Sequence, residues 1–93
     1  MQYRTFRGWG GLRVNAAWDA QRGTFTAYAR DPHDTIVWQV GQLDVELPTI
    51  TALQQAIEPR RAYLTVEVVA ALLGDQESGP AALADSGRVG VAL

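Results

Sequence analysis

Few side chains in this sequence could do chemistry, and their spacing limits what they could do. The sole histidine, His33, stands in Asp31-Pro32-His33-Asp34, between carboxylates that would suit a general base or a metal ligand. The same four residues spell a turn, because Asp favours the first position and Pro presets φ for the second. One histidine and no cysteine cannot build a standard zinc site from a single copy. Gly8-Trp9-Gly10-Gly11 is as glycine-rich as a phosphate loop, but such loops open a helix and usually carry lysine. Here a strand-like pattern follows, and all eight basic residues are arginine. A nucleophilic serine needs a histidine partner, yet Ser78 and Ser86 lie far along the chain from His33. Asp44 and Glu46 share one strand face, where carboxylates are ordinarily solvated, and without lysine there is no Schiff-base chemistry. The expectation is a protein that is not an enzyme and holds no cofactor or metal.

What remains is recognition. Of three tryptophans, Trp18 and Trp38 alternate in phase with core positions, whereas Trp9 sits between glycines with Arg7 and Arg13 close by. Tryptophan beside arginine is the composition of an interface hot spot, although Trp9 could equally fold back as a lid on the sheet. The candidate partner-binding set is Trp9, Arg7 and Arg13, joined by Tyr28 and Arg30 from a polar sheet face.

These residues need a scaffold, and the first half of the chain spells one. Gly8–Gly11, Ala20–Gly23, Asp31–Asp34 and Gly41-Gln42 punctuate segments that alternate with period two. Leu12, Val14, Ala16 and Trp18 share one face of residues 12–19; Phe25, Ala27 and Ala29 share one face of 24–30. Ile36, Trp38 and Val40 do so in 35–40, and Leu43, Val45 and Leu47 in 43–47, after a Gly41-Gln42 hairpin turn of type II′ form. Residues 2–7 offer a further edge strand. Short connections make consecutive strands antiparallel neighbours, and a sheet with one apolar face needs a cover.

Helical spacing supplies that cover. Ile50, Leu53, Ala56 and Ile57 mark a helix over 49–58, with Thr49 or Thr51 as N-cap and Pro59 as stop. Residues 62–73 admit two readings. Alternation of Tyr63, Thr65 and Glu67 with Leu64, Val66 and Val68 suits a strand. Thr65 as N-cap, the Val68/Val69/Leu72/Leu73 stripe and Gly74 as stop suit a helix over 65–73, the preferred reading. Residues 75–79 read as a loop, 80–85 as a short helix opened by Pro80, and 88–93 as a strand or frayed tail. The predicted fold is a single α+β domain over 1–93: an antiparallel four- to five-stranded β-meander over 2–47, one face covered by two helices.

At 93 residues one core is expected. Net charge is −2 and pI about 5.1, which disfavours nucleic acid as partner. No apolar run is long enough for a membrane, and residues 1–7 lack the apolar core of a signal peptide. A cytoplasmic location is therefore expected. Open sheet edges could pair two copies into a homodimer. Arginine without lysine points to translation from GC-rich DNA.

Two resemblances add expectations. Residues 61–93, through Ala62-Tyr63-Leu64-Thr65, Val69-Ala70-Ala71-Leu72-Leu73-Gly74 and Ser86-Gly87-Arg88, resemble the excisionase/MerR-type winged helix-turn-helix family. That likeness implies a first helix at 65–73, a recognition helix at 78–85 and a DNA-binding regulator of excisionase or antitoxin type, which would use residues 62–93 or dimerise so that Arg60, Arg61 and Arg88 gather on one side. The 78–85 stretch departs from the family's pattern, since it carries none of the Arg, Lys, Asn or Gln that phosphate and base contacts need. The whole chain resembles, in style, small accessory proteins of phages of GC-rich actinobacteria, which implies a host or competing-phage protein as partner and interference as function. The phrase Val37-Trp38-Gln39-Val40-Gly41, then Glu46-Leu47-Pro48-Thr49, carries that likeness.

Overall fold

A computed structural model describes the backbone of residues 1–42 and 45–88 and, over the same span, the side chains as far as Ser78. Strand β1 (Arg4–Arg7) turns through a short 3-10 segment into β2 (Arg13–Asp19), followed by β3 (Thr24–Arg30) and β4 (Ile36–Val40). Their spatial order is their chain order, β1-β2-β3-β4, every neighbour antiparallel. Helices α1 (Ile50–Ile57) and α2 (Val66–Arg88) complete an α+β fold, both packing against this four-stranded sheet.

The alternating apolar positions do form the interior. Phe6, Val14, Ala16, Phe25, Ala27, Ala29 and Trp38 are buried on one sheet face, against Leu53 and Ile57 of α1 and Val68 and Leu72 of α2. Small alanines on β2 and β3 let the helices approach closely, and Phe25 fills the space beside Trp18, ring centroids 4.7 Å apart. The indole nitrogens of Trp18 and Trp38 are buried with no acceptor among the described residues. These side chains therefore contribute through contact area, and Trp18 also through its tilted ring contact with Phe25.

Three ties hold the helical layer in place. Thr49 accepts from the Ala52 N–H at 3.0 Å and is the N-cap of α1. Gln54 clamps the connection between helices, accepting from Leu64 N–H at 2.8 Å and donating to the Ala62 carbonyl at 3.2 Å. Arg4 makes a two-pronged ion pair with Asp75, at 2.9 and 2.6 Å, joining β1 to α2. Hydrogen bonding to Asp75 raises the Arg4 pKa above its ordinary value, and burial partly offsets this. Thr49→Ala should lower stability by about 1 kcal/mol, the usual worth of a threonine cap. Urea unfolding checks this, and an unchanged midpoint would show that the cap contributes nothing.

Several expectations require correction. Residues 45–47 form no strand, and the Gly41-Gln42 turn does not fold the chain back on β4. Instead the chain runs past the end of β4 and lays Leu47 along β3: Phe25 N–H donates to the Leu47 carbonyl at 2.8 Å, and Leu47 N–H to Thr24 Oγ1 at 2.7 Å. Leu47 is buried while Val45 is exposed, so only one of these two predicted inward positions reaches the core. Leu43 and Asp44 lie outside the described residues. The edge strand comes from the N-terminal segment as β1.

Ile36 also differs. The register shifts between Ala29 and Arg30, so Ala29 faces Trp38 while Arg30 faces Ile36. The extra residue, Val37, moves Ile36 to the outer face, as a bulge does in a period-two strand. Thr24 and Thr26, polar by alternation, are buried because Val40, Gln42 and Leu47 engage them; Thr26 donates to the Val40 carbonyl and accepts from Gln42, and Thr24 accepts from Leu47 N–H.

Residues 66–73 are helical, capped by Thr65, whose Oγ1 accepts from Val68 N–H at 3.1 Å. The helix does not stop at Gly74. It continues through the predicted loop at 75–79 and through Pro80 to Arg88. Gly74 lowers helix propensity without forbidding helix, and the Arg4–Asp75 pair and the Gln76 bond to the Pro48 carbonyl hold the following turn. Residues 89–93 lie outside the described part of the chain.

Candidate functional site

Antiparallel order brings two turns to one end of the sheet: residues 8–12 between β1 and β2, and 31–35 between β3 and β4. In the first, Gly8 N–H bonds the Leu12 carbonyl at 2.8 Å, and Gly10 and Gly11 adopt φ of +74° and +78°. Only glycine does this without strain, and the resulting tight turn pushes Trp9 outward. Its side chain is 64% exposed, so it is not a lid on the sheet. From the helical layer, Arg61 lays its guanidinium over the indole, 4.9 Å from the ring centroid, a cation–π contact.

In the second turn Asp31 organises the backbone. Its Oδ1 accepts from His33 N–H at 2.9 Å and Thr35 N–H at 3.0 Å, and its carbonyl from Asp34 N–H at 2.8 Å. His33 is exposed, held in place by its backbone as a turn residue. Asp34 takes φ of +69°.

Between these turns, on the outer face, cross-strand register places Arg7 opposite Arg13 and Arg13 opposite Arg30. Directly paired residues share a face, so three arginines stand in a single row over three adjacent strands. Asp34 meets two of them: its Oδ1 is 3.2 Å from Arg13 Nη2 and 3.8 Å from Arg30 Nη1, while Arg30 also donates to its carbonyl at 2.7 Å. Among the described residues Arg7 has no carboxylate partner. Behind this row Thr5, Asn15, Tyr28 and Gln39 form a second, uncharged row. Tyr28 is half-buried there, with Arg30 5.3 Å from its ring centroid and Tyr3 edge-on at 5.3 Å.

The structure thus gathers Arg7, Arg13, Tyr28 and Arg30 on one face and sets Trp9 at its end. Composition did not reveal Arg61 as the partner of Trp9, nor Asp34 as the counter-charge. Both depend on which turns meet in space, although strand register would have aligned the arginine row. The residues assigned to DNA contact fare differently. Arg60 and Arg61 are exposed in the turn after α1, and Arg61 is engaged with Trp9. The side chain of Arg88 lies outside the described residues. Because α2 is unbroken from Val66 to Arg88, the bend that would separate two helices at residues 74–77 is absent.

Among the described residues, no helix is long and apolar enough to cross a membrane. Compared with protein-family models, with curated proteins and with solved structures, the chain matches none.

Proposed function

We propose that this chain is a non-enzymatic protein-binding module that docks a partner at the tryptophan-tipped, arginine-lined end of its sheet. The observation that carries this reading is Trp9: a large aromatic side chain, 64% exposed, fixed by a glycine turn and covered on one ring face by Arg61. A pre-positioned aromatic loses little freedom on binding, and Trp and Arg dominate binding energy at protein interfaces. The chain's arginine-only basicity supports a GC-rich bacterium, or a phage of one, as its source, and its likeness in style to small accessory proteins of such phages supports a host or competing-phage protein as its target.

The test is a paired pull-down from a GC-rich bacterial lysate with the full chain and with Trp9→Ala, both checked for folding by circular dichroism. A protein partner retained by the first should bind the variant roughly 30-fold more weakly, as loss of a hot-spot residue implies. Recovery of DNA without protein, or equal retention by both chains, would count against the reading.

A further inference from the structure

The row Arg7–Arg13–Arg30 is a costly arrangement for a folded chain, because like charges directly opposite one another on neighbouring strands repel. Strands lie about 4.8 Å apart, so the outer two arginines stand only about 10 Å from each other. Among the described residues a single carboxylate, Asp34, answers them, and it reaches Arg13 and Arg30 with side chains 60% and 33% exposed. No acidic residue occupies the uncharged row of Thr5, Asn15, Tyr28 and Gln39 behind them. The chain as a whole is negative, so this local positive field does not follow from its composition.

We infer that this row is a carboxylate-binding face, and that its occupant is an acidic segment of the partner protein, for which Asp34 is the intramolecular stand-in. The inference rests on the protein-binding reading and adds the partner's chemistry to it. Guanidinium groups bind carboxylates through charge-assisted hydrogen bonds, and the Asp34 carboxylate already accepts one from Arg13 and forms an ion pair with Arg30 at 3.8 Å. Nucleic acid would supply anions as well, but its continuous charge extends past a patch this small onto a net-negative surface, whereas duplex and single-strand binders carry a broad basic footprint. A short acidic segment needs only local complementarity. Asp34 occupies the site only partly, and a partner carboxylate must displace it or share its arginines.

That competition gives the test its sign. The full chain is titrated by fluorescence anisotropy, at low ionic strength, with a labelled octapeptide of alternating glutamate and glycine. Its glutamine counterpart and a thymidine oligonucleotide of equal charge serve as comparisons. The glutamate peptide should bind and the glutamine peptide should not. Arg13→Gln should weaken binding about tenfold, the loss of a charge-assisted bond. Asp34→Asn should tighten it several-fold, since asparagine tolerates the left-handed backbone there and removes the negative charge that faces Arg13 and Arg30, leaving the bond from Arg30 to the residue 34 carbonyl in place. Absence of glutamate-peptide binding, tighter binding of the oligonucleotide, or weaker binding by Asp34→Asn would each overturn the inference. A separate arm distinguishes its failure from that of the protein-binding reading. If Arg7→Gln/Arg13→Gln/Arg30→Gln still captures the partner that Trp9→Ala loses, the acidic-segment inference falls and the module reading stands.

Discussion

Gly41→Ala should lower the stability of this domain by more than about 4 kcal/mol, a loss large enough to require a specific cause such as severe overpacking against backbone. Two penalties coincide. Gly41 has φ of +75°, where an alanine is strained by roughly 1–2 kcal/mol. A Cβ at that position would also lie 2.2 Å from the Phe25 carbonyl oxygen and 2.9 Å from the Thr26 Cα, both backbone atoms of β3. Relief requires either β3 or the segment after β4 to shift, which would disturb the Phe25–Leu47 hydrogen bond. Gly23 provides the control: its φ is +67° but nothing lies within 4 Å of a Cβ there. Gly23→Ala should therefore cost only the strain, about 1–2 kcal/mol. Urea unfolding of both variants separates the effects, and equal losses would show that the close approach at Gly41 does not exist in solution.

Phe25→Ala is the second large effect. The side chain is completely buried, stacks on Trp18 and packs in the core shared with Leu53, Ile57 and Leu72. Removing it costs the transfer free energy of the ring plus that of the cavity, about 3–5 kcal/mol. A domain this size is stable by roughly 5–14 kcal/mol, so the loss removes a large share of that margin and should move the urea midpoint sharply downward. Phe25→Leu, which keeps most of the volume, should lose distinctly less. Tryptophan fluorescence against urea measures both, and a Phe25→Ala loss below about 1 kcal/mol is incompatible with the burial described.

Where an element's pattern was strictly local, the sequence sufficed to find it. Val14, Ala16, Phe25, Ala27, Ala29 and Trp38 alternate as a half-covered sheet must, and all six are buried. Thr49 and Thr65 mark helix starts through bonds that span three residues. The failures share a cause. Over 45–47 the strand read there lost to the contact of Leu47 with Thr24 and Phe25 some twenty residues away, and Ile36 was turned outward by one extra residue in the pairing of β3 with β4. Gly74 reads as a helix stop only until Asp75 and Gln76 find Arg4 and Pro48. The candidate site divides the same way: Trp9 stands out by its glycine neighbours, but its contact with Arg61 joins residues 52 positions apart.

Periodicity, turn chemistry and charge, all properties of neighbouring residues, decided that this chain is a sheet with a helical cover and that Val14, Ala16, Phe25, Ala27, Ala29 and Trp38 face inward. Register, and the meeting of two turns at one end, decided that three arginines align around Asp34 and that Arg61 covers Trp9. The physical reason is range: backbone preference acts over a few residues, whereas the pairing of strands is set by the packing of the whole core.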